Sequence, residues 1–430
     1  MTFPIGLSYL GTYLIKHGID VTIFDMNVYP EPYISLNKIL NKNFTLIGIS
    51  LRNLDQYIPV YSPTNYLKYI YNQGYLNELE NLINIIKNKK PGTPLVLGGA
   101  GFTILAKELM NRYKDIDFGA IGESEITLLG LTKNIGNPEK VKGVYYRKGN
   151  NLFLTGKPNK IKNIDFIPKK NIKGLPNLKT YDSIGVQSKR GCIYNCIYCV
   201  EPYIQEGQLL LRNINSVIEE LKELKKKGIS KIVFADCVVN SPIKHFELLC
   251  KAIISNDLKI KWRGYFRFEN LNKDLIKLAI KSGCNNFIFS PDSDSRKIRK
   301  LLGTNIKNEK IIDTIHCISK YDENADLTLC FLLNSPGENT KTLLKTFLLI
   351  YELKKINPKI NMDFSSIRIY PHTILYNKTC KLENKDMLKS IYYNPFPLKL
   401  FVVPFIIIYY LFKNKFQILI LKYLITKRKK

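Results

Sequence analysis

Three cysteines within eight residues constrain this chain more than any other feature. Cys192, Cys196 and Cys199 stand as C-x-x-x-C-x-x-C in the run Lys189-Arg190-Gly191-Cys192-Ile193-Tyr194-Asn195-Cys196-Ile197-Tyr198-Cys199. Nine cysteines in 430 residues make no disulfide scaffold, so this grouping points to a reducing cytoplasm and a metal site. Soft thiolates at this spacing can wrap one face of an iron–sulfur cube and leave its fourth iron without a protein ligand. Zinc is the competing reading. A closed zinc site takes four ligands, commonly in two separated pairs, and no second pair stands in the sequence.

The rest of the chain reads as a large α/β protein. With 45% hydrophobic and 11% aromatic residues it is neither disordered nor fibrous. The net charge of +29 would fit an anionic partner, but Lys is spread evenly among Ile and Asn along the whole length, so a nucleic-acid surface is not expected. Met1 leads into a Pro-containing amphipathic helix rather than the charged and apolar regions of a signal peptide.

From Thr2 to about Glu125, helices alternate with short apolar strands near Val21–Asp25, Leu46–Ser50, Leu95–Gly98 and Phe118–Ile121. Such alternation predicts a parallel sheet between helices. Ligands of open α/β sheets bind beyond the carboxyl ends of the strands, which makes Asp25, Ser50, Gly98, Gly99, Gly101, Gly122 and Glu123 candidate binding residues. A hairpin over Gly143–Phe153, turning at Gly149-Asn150, and a Lys/Pro/Asn-rich linker over Gly156–Lys179 follow. A second βα series then begins, with strands near Ile184–Ser188, Lys231–Asp236, Lys261–Phe266, Asn286–Ser290, Leu327–Leu333 and Phe364–Ile369. Six units are too few for the eight-fold barrel and fit a partial, six-stranded (β/α)6 TIM-type barrel. Its first loop carries the three cysteines, at the face where barrel enzymes place their chemistry.

The domains expected are therefore 1–140, a hairpin and linker over 141–179, a barrel over 180–380, and an extension over 381–430. That extension holds two apolar runs, Leu400–Phe412 and Phe416–Leu421, separated by Lys413 and Lys415 and ending in a basic tail. Neither run reaches the roughly 20 residues of a membrane span. The apolar helical C-terminus therefore reads as an in-plane membrane anchor or as a hairpin covering an apolar patch.

The cysteine segment resembles the signature of the radical S-adenosylmethionine (radical SAM) superfamily, including the aromatic Tyr198 before the last cysteine. The resemblance implies that Cys192, Cys196 and Cys199 hold a 4Fe–4S cluster whose open iron chelates S-adenosylmethionine. One electron would then yield a 5′-deoxyadenosyl radical, and Tyr198 would lie against the adenine. It further implies a methionine-binding role for Asp236, contact of Ser290 and Asp292 with the ribose or carboxylate, and a cofactor-binding turn at Pro336, Gly337 and Glu338. Arg368-Ile369-Tyr370-Pro371 resembles the last-strand motif. Cys237, Cys250, Cys284, Cys317, Cys330 and Cys380 read as buried hydrophobes. An electron donor such as flavodoxin or ferredoxin is an implied partner.

Ahead of such a barrel, the opening region resembles the Rossmann-like cobalamin-binding domain of cobalamin-dependent radical SAM proteins. The match runs through Phe3-Pro4-Ile5-Gly6-Leu7, Leu97-Gly98-Gly99 and Gly122-Glu123-Ser124-Glu125. Ser50-Leu51-Arg52-Asn53-Leu54-Asp55 and the spacing from Cys192 through Glu201-Pro202 and Gly207 to Arg212 resemble the branch with tryptophan C-methyltransferases. No Asp-x-His-x-x-Gly occurs, so no histidine is expected below the cobalt, and His17 reads as a surface or packing residue. Domains of this kind begin with a strand before the Pro-Ile-Gly turn, at which this sequence starts; either the true start lies upstream, or a four-stranded remnant with a gap and weak or absent cobalamin binding is expected. The implied activity is methyl transfer to an unactivated carbon of an unknown substrate. The alternatives are another radical SAM reaction, such as RNA methylthiolation, or a degenerate membrane-associated binding protein.

Overall fold

The computed structural model describes residues 3–52, 54, 74–168, 170–379, 387, 388 and 393. The C-terminal apolar runs, Cys380, Asn53 and Asp55 lie outside the described residues.

Two sheets organise the chain. The first runs β1 (Ile47–Ser50), β2 (Leu95–Gly98), β3 (Phe118–Ala120), β4 (Val144–Lys148) and β5 (Asn151–Leu154), in that spatial order. β1, β2 and β3 are parallel, and β4 and β5 add antiparallel to the β3 edge. The expected four-stranded remnant is therefore corrected. The hairpin joins the sheet, turning at Gly149 with φ +58°, while Val21–Asp25 joins no sheet. In a 2-1-3-4-5 order that strand pairs through a neighbour that the described residues do not supply. It instead lies against the stretch expected as a linker, with Ile23 N–H donating to Lys173 O at 2.8 Å. That stretch is a packed strap, burying Ile161, Ile164 and Ile172.

The second sheet holds β6 (Ile184–Val186), β9 (Lys231–Phe234), β10 (Lys261–Phe266), β11 (Cys284–Asp292), β12 (Asp326–Leu333) and β13 (Asn361–Ser366) in sequential order. All neighbours are parallel. Between β6 and β9, the short β7 (Lys189–Arg190) and β8 (Leu210–Leu211) pair with each other. The last barrel strand was expected over Phe364–Ile369; it begins earlier and ends before Arg368, whose guanidinium lies over the Tyr370 ring.

Period-two alternation sets the two faces of this sheet. Trp262, Phe266, Phe287, Phe289, Leu329 and Phe331 are buried against the helices in one continuous core. Tyr265 and Ser290, on the other face, are exposed. Each helix is amphipathic and punctuated by its own sequence. Ile214–Lys226 buries Val217, Ile218, Leu221 and Leu224, and Lys273–Lys281 starts on the Asn272 cap and stops before Gly283 at φ +96°. The first helix, Ile5–Lys16, packs on the barrel: Phe3, Ile5 and Tyr9 belong to its core. Gly185 on β6 leaves Ile5 in ordinary contact where a side chain would stand.

Candidate active site

The cysteine loop follows β6 and is held from three sides. From β9, Asp236 accepts from Ser188 N at 2.8 Å and Lys189 N at 3.3 Å, and from the Ser188 hydroxyl; Lys189 Nζ pairs with it at 3.4 Å. Asp236 is thus committed to the base of the loop. From the turn before β8, Gln208 presses on Gly191, where a Cβ would fall 1.9 Å from the Gln208 carbonyl oxygen and φ is +86°. From below comes a helix over Arg296–Leu302 that the sequence reading missed, although its Ser295 cap and left-handed Gly303 stop are ordinary helix signals. A Cβ on Gly303 would meet Cys196 Cα at 3.0 Å, and Leu302 O accepts from Ile197 N at 3.2 Å.

Cys192, Cys196 and Cys199 are all free and half-buried. Burial pushes the thiols up, that of Cys199 to about 12. As bare thiols they stay protonated at neutral pH, and a metal that binds them displaces protons. No three His, Cys, Asp or Glu groups among the described residues surround one point closely enough for a single ion. Three soft thiols on one loop are the donor chemistry of an iron–sulfur cube, which takes each thiolate at a separate corner and leaves one iron open. The donor set fits the cube.

Beside the loop, buried acceptors stand without donors. Asp292, at the end of β11 and 1% exposed, has no well-aligned partner on either oxygen, and Asn334 Oδ1 and Glu338 Oε1 are likewise unsatisfied among the described residues. Burial raises Asp292 to about 7 against the pull of Arg267, Arg299 and the Tyr198 phenol beside it. Burial also lifts Glu338 to about 7, opposed by the Ser335 and Asn334 backbone N–H groups. Glu338 turns back onto Ser335 N at 3.2 Å, and the next helix is capped by Asn339 and Thr342 instead. Gly337 takes φ +81° between Pro336 and Glu338. Unpaired buried acceptors are costly unless a ligand donates to them, so this mouth fits a ligand rich in hydroxyl and ammonium donors.

In the N-terminal sheet the candidate turns meet one another. Leu51 N donates to Gly98 O at 2.8 Å, Gly101 N to Leu51 O at 2.9 Å, and Gly122 N to Thr103 Oγ1 at 3.0 Å. Gly99, at φ +100°, and Gly101 admit the backbone of Leu51 and Arg52, where a Cβ would come within 2.5 Å and 3.0 Å of a carbonyl oxygen. Gly48 and Ser50 are the exposed residues of β1, alternating with Ile47 and Ile49. Glu123 and Glu125 reach across to Arg190, at 3.4 and 2.7 Å, two residues before Cys192. Burial raises Glu123, and Arg190 opposes the rise.

The remaining expectations fall as follows. Asp25 caps a short turn and accepts from the Tyr181 hydroxyl at 3.0 Å. His17 is exposed, its Nδ1 2.8 Å from Tyr13 O. Cys250 and Cys284 are buried as expected, but Cys237 is exposed, its thiol directed to the Glu201 carboxylate near the cysteine loop. Arg267 is a site residue that the sequence reading missed: its Nη1 lies 3.7 Å from Cys196 Sγ.

Comparison with known proteins identifies the domains that carry these residues. The radical SAM superfamily model matches residues 186–350, and the B12 binding domain model matches residues 1–132. The chain carries a radical SAM domain and a B12-binding domain. Its radical SAM domain implies a 4Fe–4S cluster and S-adenosylmethionine, and its B12-binding domain implies cobalamin. A curated relative, an uncharacterized methyltransferase of Pyrococcus horikoshii, is 24% identical over 87% of this chain and 77% of its own length. The tryptophan 2-C-methyltransferase of Streptomyces laurentii is 24% identical over 53% of this chain and only 36% of its own length. Among solved structures, the radical SAM methyltransferase TsrM of Kitasatospora setae, with cobalamin and a [4Fe-4S] cluster bound, shares the fold at a TM-score of 0.76. It is 18% identical, over 89% of this chain and 72% of that one. Among the described residues no helix is long and apolar enough to cross a membrane.

Proposed function

We propose that this radical SAM protein is a cobalamin-dependent methyltransferase acting on an unactivated carbon of a small molecule, peptide or lipid. The observation that carries the reading is the pairing of Glu123 and Glu125, in the B12-binding domain, with Arg190, two residues from the first cluster cysteine. That contact brings the two cofactor-binding regions to one seam. When bound, the cluster supplies the electron that cleaves S-adenosylmethionine, and cobalamin supplies a carrier for the methyl group.

The residues of the chain do the rest. Cys192, Cys196 and Cys199 hold three corners of the cluster. Asp292, Asn334 and Glu338 accept from the hydroxyl and ammonium groups of S-adenosylmethionine, with Tyr198 against its nucleoside and Ser290 exposed at the same mouth. Asp236 holds the loop in place through Ser188 and Lys189. Ser50, Gly98, Gly99, Gly101, Gly122 and Glu123 form the corrin side, and the packed helices around the barrel exclude water from the chemistry. A flavodoxin- or ferredoxin-like donor delivers the electron. The apolar, basic C-terminus acts as an interfacial anchor: truncation after Asn394 should release the protein from anionic vesicles, and added salt should weaken binding of the full chain.

The deciding experiment is anaerobic reconstitution with both cofactors and a reductant, followed by mass spectrometry. Formation of 5′-deoxyadenosine and S-adenosylhomocysteine supports the reading. A fully loaded cluster that yields neither product overturns it.

A further inference from the structure

Arg267 leaves the end of β10 in a rigid frame. Its backbone N–H donates to Asn240 Oδ1 at 3.0 Å, and Asn240 Nδ2 donates to Arg267 O at 2.8 Å. The guanidinium is then fixed on three sides. It lies 3.9 Å from the ring centroid of Tyr194, between the first two cysteines. Its Nε and Nη2 donate to Glu269 at 3.3 and 2.8 Å, and its Nη1 points at Cys196 Sγ, 3.7 Å away. Tyr194 is itself held, its hydroxyl accepting from Asn270 Nδ2 at 2.6 Å. A neutral thiol is a weak acceptor; a thiolate is a strong one for a planar, permanently charged guanidinium.

Resting on the cluster reading above, we propose that Arg267 is a positioning residue that holds one positive charge against the Cys196 sulfur and raises the reduction potential of the bound cluster. Reduction adds one negative charge to the cluster, and a fixed cation with a hydrogen bond to a cluster sulfur stabilises the reduced form more than the oxidised one. Glu269, on the far side of the guanidinium, offsets part of that charge. The two residues therefore pull the potential in opposite directions, which a merely structural role would not produce.

The test uses the full chain, anaerobically reconstituted with iron and sulfide, with iron content measured and the reduced cluster followed by paramagnetic resonance during a redox titration. Arg267→Gln should keep its iron and shift the midpoint to lower potential, Arg267→Lys should fall between it and the wild type, and Glu269→Gln should shift the midpoint upward. An Arg267→Gln variant with full iron and an unmoved midpoint overturns the proposal. Should that variant fail to hold iron, Glu269→Gln decides alone, and an unmoved or lowered midpoint overturns it. A wild-type chain that takes up no cluster overturns the cluster reading and this inference together.

Discussion

The barrel mouth and the seam with the N-terminal sheet are both buried and both rich in charge, yet they are built oppositely. At the seam the charges are matched: Arg190 is shared by Glu123 and Glu125 and lies over the Tyr9 ring, while Arg212 and Lys170 both pair with Glu220. At the mouth, neither Asp292 oxygen, nor Asn334 Oδ1 nor Glu338 Oε1, has an ion-pair partner or a well-aligned donor among the described residues, whereas the acceptors left over at the seam, Glu123 Oε2 and Glu220 Oε1, belong to carboxylates that are already ion-paired. Matched buried charge holds two parts of a fold in register, whereas unmatched buried acceptors carry a cost that a ligand's donors relieve. The seam is a fastening. The mouth is a receptacle.

The largest effect expected from breaking this contrast lies in the cysteines. Replacing Cys192, Cys196 or Cys199 with Ala should abolish the brown 4Fe–4S chromophore and cleavage of S-adenosylmethionine, with the absorbance and product formation as the readouts. Full activity in the triple variant would rule out the radical mechanism.

At the seam, Arg190→Ala strands Glu123 and Glu125, both at least nine-tenths buried. It should cost about 3–5 kcal/mol in chemical denaturation, the usual range for breaking a buried pair. Adding Glu123→Gln and Glu125→Gln to that variant should recover part of the loss, because no carboxylate is then left unpaired.

The mouth should respond with the opposite sign. Burial holds Asp292 protonated up to about pH 7 in the folded chain, against about 3.9 unfolded. Its stabilising contribution is therefore full below pH 4 and lost as pH rises through 7. Asp292→Asn should raise the stability of the ligand-free chain at pH 8 by on the order of 2 kcal/mol and flatten its pH dependence between 4 and 8. Calorimetry should show weaker S-adenosylmethionine binding in the same variant. A variant less stable than the wild type at pH 8 would count against the receptacle.

The smallest effects separate glycines that pack from glycines that turn. Gly149→Ala meets nothing within 4 Å and should lose only about 1 kcal/mol for its left-handed conformation. Gly99→Ala also collides with Leu51 O and should lose clearly more in thermal melts.

Much of this architecture was legible in the chain. β2 and β10 match their expected bounds, because strand patterns are written in neighbouring residues. Val21–Asp25 has the same apolar pattern as a strand and forms none, because a strand also needs an edge to pair with. The hairpin was read correctly as a hairpin, but its attachment to β3 depends on which sheet edge is free. The Ser295 cap and Gly303 stop of Arg296–Leu302 are legible signals, but two turns are too short for an apolar period to draw attention to them.

The sequence by itself determined the chemistry of the donors: three thiols at a spacing that wraps one face of a cube, two βα series, and small residues at the strand ends. Tertiary structure alone decided what each polar group faces. Asp236 was read as a cofactor contact and is committed to Ser188, 48 positions away; Glu123 meets Arg190 across 67 positions; and Arg267 reaches Cys196 across 71. The physical reason is that ligand spacing and periodicity are local properties of the chain. Whether a buried charge is satisfied depends on which distant strands and loops the fold brings within about 3 Å of it.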